Sequence, residues 1–137
     1  MSGEGIWTHR FYKKYLKFTA VVIGSFGPIF ALSTMEDYSA PARLTLQLLS
    51  GGTEQSFEAP TTRFLSALTG GFLLGWGVTV WMLSADAVYD AAPEGVRKVV
   101  LTGLVSWCCL DSAGSIASGT PVNAAWNLAV LALGAGP

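Results

Sequence analysis

The spacing of the charged residues constrains this chain most, because it leaves three long stretches with almost no ionisable side chain. Residues 18–35 and 64–85 carry no charge, and residues 99–137 carry only Asp111. A helix that crosses the hydrocarbon core of a membrane needs about 20 mostly apolar residues. Charged residues make up 12% of the chain, about half the fraction found in soluble domains. The sequence therefore predicts an integral membrane protein.

These three stretches predict four helices, since the last stretch is too long for one. It divides at Ser118-Gly119-Thr120-Pro121, where glycine suits the end of one helix and proline the first turn of the next. The predicted helices cover about residues 15–34, 62–84, 96–117 and 121–136, and the last of them is short. The expected fold is all-α, an integral membrane four-helix bundle formed by residues 15–137.

Residues 1–14 are expected to form a separate interfacial amphipathic segment before the first helix. Aromatic side chains recur along one helical stripe, and basic side chains surround it, which is typical of a helix lying at headgroup depth. The aromatic anchors are Trp7, Phe11 and Tyr15, and the basic ones are Lys13, Lys14 and Lys17. A docking face for a partner is the alternative interpretation.

The orientation in the membrane follows from the lysine and arginine residues near the membrane ends. The N-terminal segment is basic, and the second loop carries Arg97 and Lys98 at the start of the third helix. The loop of residues 35–61 carries four acidic residues against Arg43. We therefore expect both termini on the cytoplasmic side and this loop on the other side.

The second predicted helix carries small side chains at every fourth position. The stripe consists of Ala67, Gly71, Gly75 and Thr79. Small residues let two helix backbones approach closely, which matters in lipid because there is no hydrophobic force between helices. The stripe favours packing against another helix of this chain. A seam for another subunit, or for a flat ligand such as a pigment or quinone, is the alternative.

The third and fourth predicted helices carry an intramembrane polar cluster. Its members are Asp111, Ser112, Ser115, Asn123 and Asn127. A carboxylate at this depth is costly unless it is protonated, paired or hydrogen-bonded. We interpret the cluster as a structural network that holds the two helices in register. Proton or ion handling by Asp111, and coordination of a ligand or a partner subunit, are the alternatives.

Composition excludes several kinds of chemistry. The formal net charge of −1 gives no electrostatic footprint for nucleic acid. One histidine rules out a bis-histidine haem within the chain, and two cysteines cannot complete a zinc site alone. No acid/base pair accompanies Asp111. We expect no catalytic residues, no metal and no intrinsic cofactor, while contact with lipid, quinone or pigment stays open.

Two sequence patterns resemble a known kind of protein. They are Gly70-Gly71-Phe72-Leu73-Leu74-Gly75-Trp76-Gly77-Val78-Thr79 and Asp111-Ser112-Ala113-Gly114-Ser115-Ile116-Ala117-Ser118-Gly119, the latter followed by Asn123 to Asn127. Together they resemble small, uncharacterised four-helix bacterial inner-membrane proteins. The resemblance covers the second to fourth helices and excludes the N-terminal segment. It implies a bacterial inner-membrane location and no particular reaction.

Three classes of function remain on the sequence. The first is a non-catalytic accessory or structural subunit of a larger membrane complex, respiratory or photosynthetic, and it leads because no catalytic set is present. The second is a small transporter or proton pathway that uses Asp111. The third is a lipid- or quinone-binding membrane protein. The expected partners are membrane lipids and either other membrane subunits or further copies of the chain.

Overall fold

A computed structural model describes residues 3–135, with the side chains of residues 8–135, and every regular element in this part of the chain is a helix. A short 3-10 turn, Glu36–Tyr38, precedes the second helix. The helices are α1 Gly3–Leu32, α2 Ala40–Leu49, α3 Pro60–Leu83, α4 Asp86–Tyr89, α5 Pro93–Ala117 and α6 Pro121–Ala135.

Three of these helices are long and apolar enough to cross a membrane. The qualifying segments are Thr8–Leu32, Pro60–Leu83 and Pro93–Ala117, of 25, 24 and 25 residues. Helix α6 is apolar but has 15 residues, which gives a length of about 22 Å at 1.5 Å per residue. Large apolar side chains cover the outside of the helices, with Phe72 75% and Leu110 79% exposed.

Proline and glycine set the helix ends. The sequence predicted those at Gly119 and Pro121, whereas α3 and α5 begin two and three residues before their predicted starts at 62 and 96. Pro60, Pro93 and Pro121 are the first residues of α3, α5 and α6, because the missing N–H of proline costs nothing in a first turn. Gly119 follows α5 with a φ of 80°, a conformation that only glycine adopts readily. The Thr120 N–H donates to the Ser115 carbonyl at 2.8 Å and closes the helix. The predicted division between α5 and α6 is confirmed.

The helices associate mainly as two antiparallel pairs, α1 with α3 and α5 with α6. The ends of the first pair are marked by polar contacts. Lys13, ten residues into α1, reaches Asp86, the first residue of α4. At the other end, Ser33 and Ser66 share a hydrogen bond of 2.6 Å, and both hydroxyls contact the Phe30 carbonyl oxygen.

Two apolar clusters join these pairs and the loop elements. The larger cluster brings α5 against α1, α3 and α4. Its members are Tyr12, Leu16, Ala20, Val80, Tyr89, Val96, Val100 and Leu104. A smaller cluster of Phe30, Ala42 and Phe57 lies at the opposite end and holds α2 against α1. Helix α2 packs inward through Ala42, its one buried residue, while Leu44 and Leu48 on the same helix are 58% and 61% exposed.

The N-terminal segment is not separate from the first helix. The predicted start at residue 15 is wrong, because α1 already begins at Gly3 and continues to Leu32. Residues 6–23 contain no glycine or proline, so nothing in this stretch interrupts the helix. The proposed interfacial segment of residues 1–14 is, over its described residues, the first turns of α1.

Candidate functional site

The packing face of α3 lies next to the predicted one. Gly70 and Gly77 are buried against α1. A Cβ atom on Gly77 would lie 2.6 Å from the Gly24 Cα atom, and one on Gly70 would lie 2.6 Å from the Gly27 carbonyl oxygen. The two backbones are therefore in direct contact, as small residues permit.

The predicted stripe faces away from α1. Gly71, Gly75 and Thr79 are exposed, Ala67 is partly buried, and a Cβ atom on Gly71 or Gly75 would meet nothing within 4 Å. The prediction that this stripe packs against another helix of the chain is therefore wrong. A four-residue repeat drifts by about 40° per step around a helix, so the stripe winds away from any straight neighbour. The interpretation of this stripe as a seam for another subunit remains a prediction.

Asp111 lies at the centre of the polar contacts between α5 and α6. The Asn127 side-chain amide donates to Asp111 Oδ2 at 2.6 Å, and that of Asn123 donates to the same oxygen at 2.9 Å. The spacing of four residues places both amides on one face of α6. The predicted approach of Asp111 to these asparagines is confirmed.

Two serines complete this polar network. The Asn123 amide also donates to Ser115 Oγ at 2.8 Å, and the Asn127 amide donates to Ser112 Oγ at 3.2 Å. Asn127 is 4% and Ser115 7% exposed. The structure thus brings together all five residues of the predicted cluster. Their hydrogen bonds cross between α5 and α6 and fix the register of the two helices.

One side of Asp111 remains accessible. No hydrogen bond from the described residues reaches its second oxygen, Oδ1. An open groove of about 490 Å³ lies beside it, lined by Trp107, Leu110, Asp111, Gly114, Ser115 and Ser118. Within residues 8–135 no group of three potential metal ligands is found. This arrangement can offer one acceptor oxygen or one carboxylic proton to a neighbour.

Charged side chains meet at the other end of the molecule, where α1 begins. The Lys13 ammonium lies 2.9 Å from Asp86 and 2.7 Å from Asp90. The hydrogen bond and the charge of Lys13 lower the pKa of the Asp86 carboxyl group, so this carboxylate is ionised at neutral pH. Lys13 was predicted as a membrane anchor. Its ion pairs hold α4 against α1, and its role as an anchor stays a prediction.

The other predicted anchors divide between internal contacts and exposed positions. The Lys17 ammonium lies 5.8 Å from the centroid of Trp81, a cation–π distance. Tyr15 stacks on Phe11, which is 57% exposed. Lys14 is exposed, and the side chain of Trp7 lies outside the described residues.

Sequence reasoning missed the short helix α4 and its two carboxylates. Asp86 and Asp90 are four residues apart, which places them on the same face of one helical turn. That spacing, together with the excess of lysines in the first half of α1, was the available signal for an ion pair between α1 and the segment after α3.

Comparison with known proteins adds no relative to this description. No known protein family, no curated protein and no solved structure matches the chain.

Proposed function

We propose that this chain is a non-catalytic integral membrane protein that serves as an accessory or structural subunit of a larger membrane complex, respiratory or photosynthetic. In this proposal α1, α3, α5 and the shorter α6 form a four-helix bundle in a bacterial inner membrane. Three helices of sufficient length and apolarity support the membrane location. The cationic start of α1 favours cytoplasmic termini, following the positive-inside rule.

The observation that carries the proposal is the uncovered small-residue face of α3. Gly71 and Gly75 have open space beside them, whereas Gly70 and Gly77 already hold α1. In lipid, a glycine face gains nothing unless another backbone packs on it. The same helix therefore presents one small-residue face to its own chain and a second one to a neighbouring subunit.

The polar network supports a structural role over a catalytic one. Both asparagine amides donate to Asp111 within the bundle. The groove beside Asp111 is lined by no other titratable side chain in the described chain, so it offers no pair of a general acid and a general base. The cluster joins α5 to α6 through hydrogen bonds.

A second candidate function is a proton pathway through Asp111. It is favoured by the accessible Oδ1 atom and by Ser115 and Ser118, whose hydroxyl groups line the same groove. Intramembrane carboxylates are frequent members of proton relays. This candidate requires water to reach the groove, and further copies of the chain to enclose it.

Native mass spectrometry and absorbance spectroscopy of the tagged chain, purified from its membrane in mild detergent, distinguish these candidates. We expect stoichiometric co-purifying membrane subunits with haem or pigment bands. Gly75→Leu should remove these partners because a bulky side chain separates the backbones. Leu128→Phe, which adds bulk to an exposed position of α6, should keep them.

A different composition of the purified material would overturn the accessory-subunit proposal. A colourless species containing only copies of the 14.4 kDa chain contradicts it. If that species also carries protons into proteoliposomes down an imposed pH gradient, and Asp111→Asn abolishes this activity, the proton pathway replaces it.

A further inference from the structure

A cavity of about 710 Å³ lies where α1 begins and α4 packs against it. Its walls contain more cations than carboxylates. The charged residues that line it are Arg10, Lys13, Lys14, Lys17, Asp86 and Asp90. The cavity therefore has a positive balance, although the whole chain has a formal net charge of −1.

The internal contacts of this cavity leave two cations available. Lys13 is neutralised by two carboxylates at 2.9 and 2.7 Å, and Lys17 lies over the Trp81 ring. Arg10 and Lys14 are exposed and form no ion pair with any residue that the structure describes. They are four residues apart, so their side chains project from adjacent turns of the same face of α1.

The face that carries these two cations continues as an apolar surface. Phe18 and Val21 follow on the next turns of α1 and are 66% and 57% exposed. Successive turns thus present two cations and then two apolar side chains along one line. This order matches an anionic phospholipid, whose charged headgroup continues into acyl chains.

We infer that the cavity binds one anionic phospholipid. Arg10 and Lys14 donate to its phosphate oxygens, as charge-assisted hydrogen bonds favour, and an acyl chain lies along Phe18 and Val21. The carboxylates of Asp86 and Asp90 hold Lys13 in the cavity wall. A soluble phosphate compound would use the two cations but would leave the adjoining apolar surface unused. This inference rests on the proposed membrane location.

Native mass spectrometry of the full chain in detergent tests the inference, with titration by dioleoylphosphatidylglycerol. The expected result is one tightly bound phosphatidylglycerol per chain, with dioleoylphosphatidylcholine bound at least about tenfold more weakly. In the double variant Arg10→Gln/Lys14→Gln, affinity for phosphatidylglycerol should fall by about tenfold or more. The matched control Arg43→Gln/Lys98→Gln removes two exposed cations outside the cavity and should keep the parental affinity.

Four results would overturn the inference. Equal losses in the two double variants would show that only overall charge matters. Equal affinity for the two lipids would show that the headgroup charge does not determine binding. Competition by millimolar inorganic phosphate, without loss of binding on Phe18→Ser, would indicate a site for soluble phosphate. Extraction of the parent chain by alkaline carbonate identifies failure of the membrane location itself, whereas a carbonate-resistant chain without bound lipid contradicts the lipid site alone.

Discussion

Replacing Gly77 with alanine is expected to reduce the free energy of unfolding by about 2 kcal/mol or more, in the upper part of the range for overpacked sites. The added Cβ atom would lie 2.6 Å from Gly24 Cα, 2.7 Å from Gly24 N and 2.8 Å from the Ala20 carbonyl oxygen. All three neighbours are backbone atoms, so no flexible side chain can move aside. The whole of α1 must shift away from α3.

Gly75→Ala provides the matched control for this prediction. The same methyl group there meets nothing within 4 Å, and alanine is a better helix former than glycine by up to about 1 kcal/mol. We expect unchanged or slightly increased stability. Thermal unfolding of the two purified variants in the same detergent measures the difference. Equal destabilisation by both substitutions would contradict the close contact between α1 and α3.

Asp111→Leu is expected to cost about 1–3 kcal/mol of stability, because it leaves buried amide donors without their acceptor. Asn127 is 4% exposed and donates at 2.6 Å to the carboxylate that the substitution removes. Asn123 retains its 2.8 Å bond to Ser115, whereas the buried Asn127 retains only the longer 3.2 Å bond to Ser112, so the loss falls mainly on Asn127. The junction between α5 and α6 should loosen as a result.

Asp111→Asn separates hydrogen bonding from ionisation. Its carbonyl oxygen can accept from both α6 amides, while its own amide group faces the groove. We expect this variant to unfold near the parental temperature, and Asp111→Leu to unfold at a lower one. Hydrogen exchange of the α6 amides locates the effect. Equal loss of stability in both variants would show that the negative charge, rather than the acceptor, holds the helices together.

The helix ends and the polar cluster could be predicted because each depends on a few neighbouring residues. Pro121 and Gly119 specify a helix start and a helix end through their own backbone preferences. The short connection between α5 and α6 then places the two helices side by side. The short connection therefore predicts that Asp111 meets the two asparagines, which are four residues apart, and the structure shows this contact.

The packing face of α3 could not be chosen from small residues alone. Gly70, Gly71, Gly75 and Gly77 all lie within two turns, so several faces of this helix can accept a close neighbour. The observed contact uses Gly70 and Gly77, seven residues apart, a spacing that stays on one side of a helix. The choice between these faces also depends on α1, because its own glycines Gly24 and Gly27 are the residues that meet Gly77 and Gly70.

The contacts of Lys13 also depend on a segment that is distant in the sequence. Lys13 lies among other cations in the sequence, and only the return of the chain after α3 brings Asp86 and Asp90 to it. The spacing of Asp86 and Asp90 indicates an acidic pair, but no local pattern shows that Lys13 is its partner. The chain length between α1 and α4 allows the encounter but does not specify it.

Cysteine accessibility tests the central claim, that the chain crosses a membrane with α1 and α3 as an antiparallel pair, most directly. Thr53→Cys lies in the exposed loop between α2 and α3, and Glu94→Cys lies at the exposed start of α5. In intact cells and inverted vesicles, a membrane-impermeant maleimide should label these positions from opposite sides, Thr53→Cys from outside and Glu94→Cys from the cytoplasm. Labelling of both positions from the same side would contradict the claim.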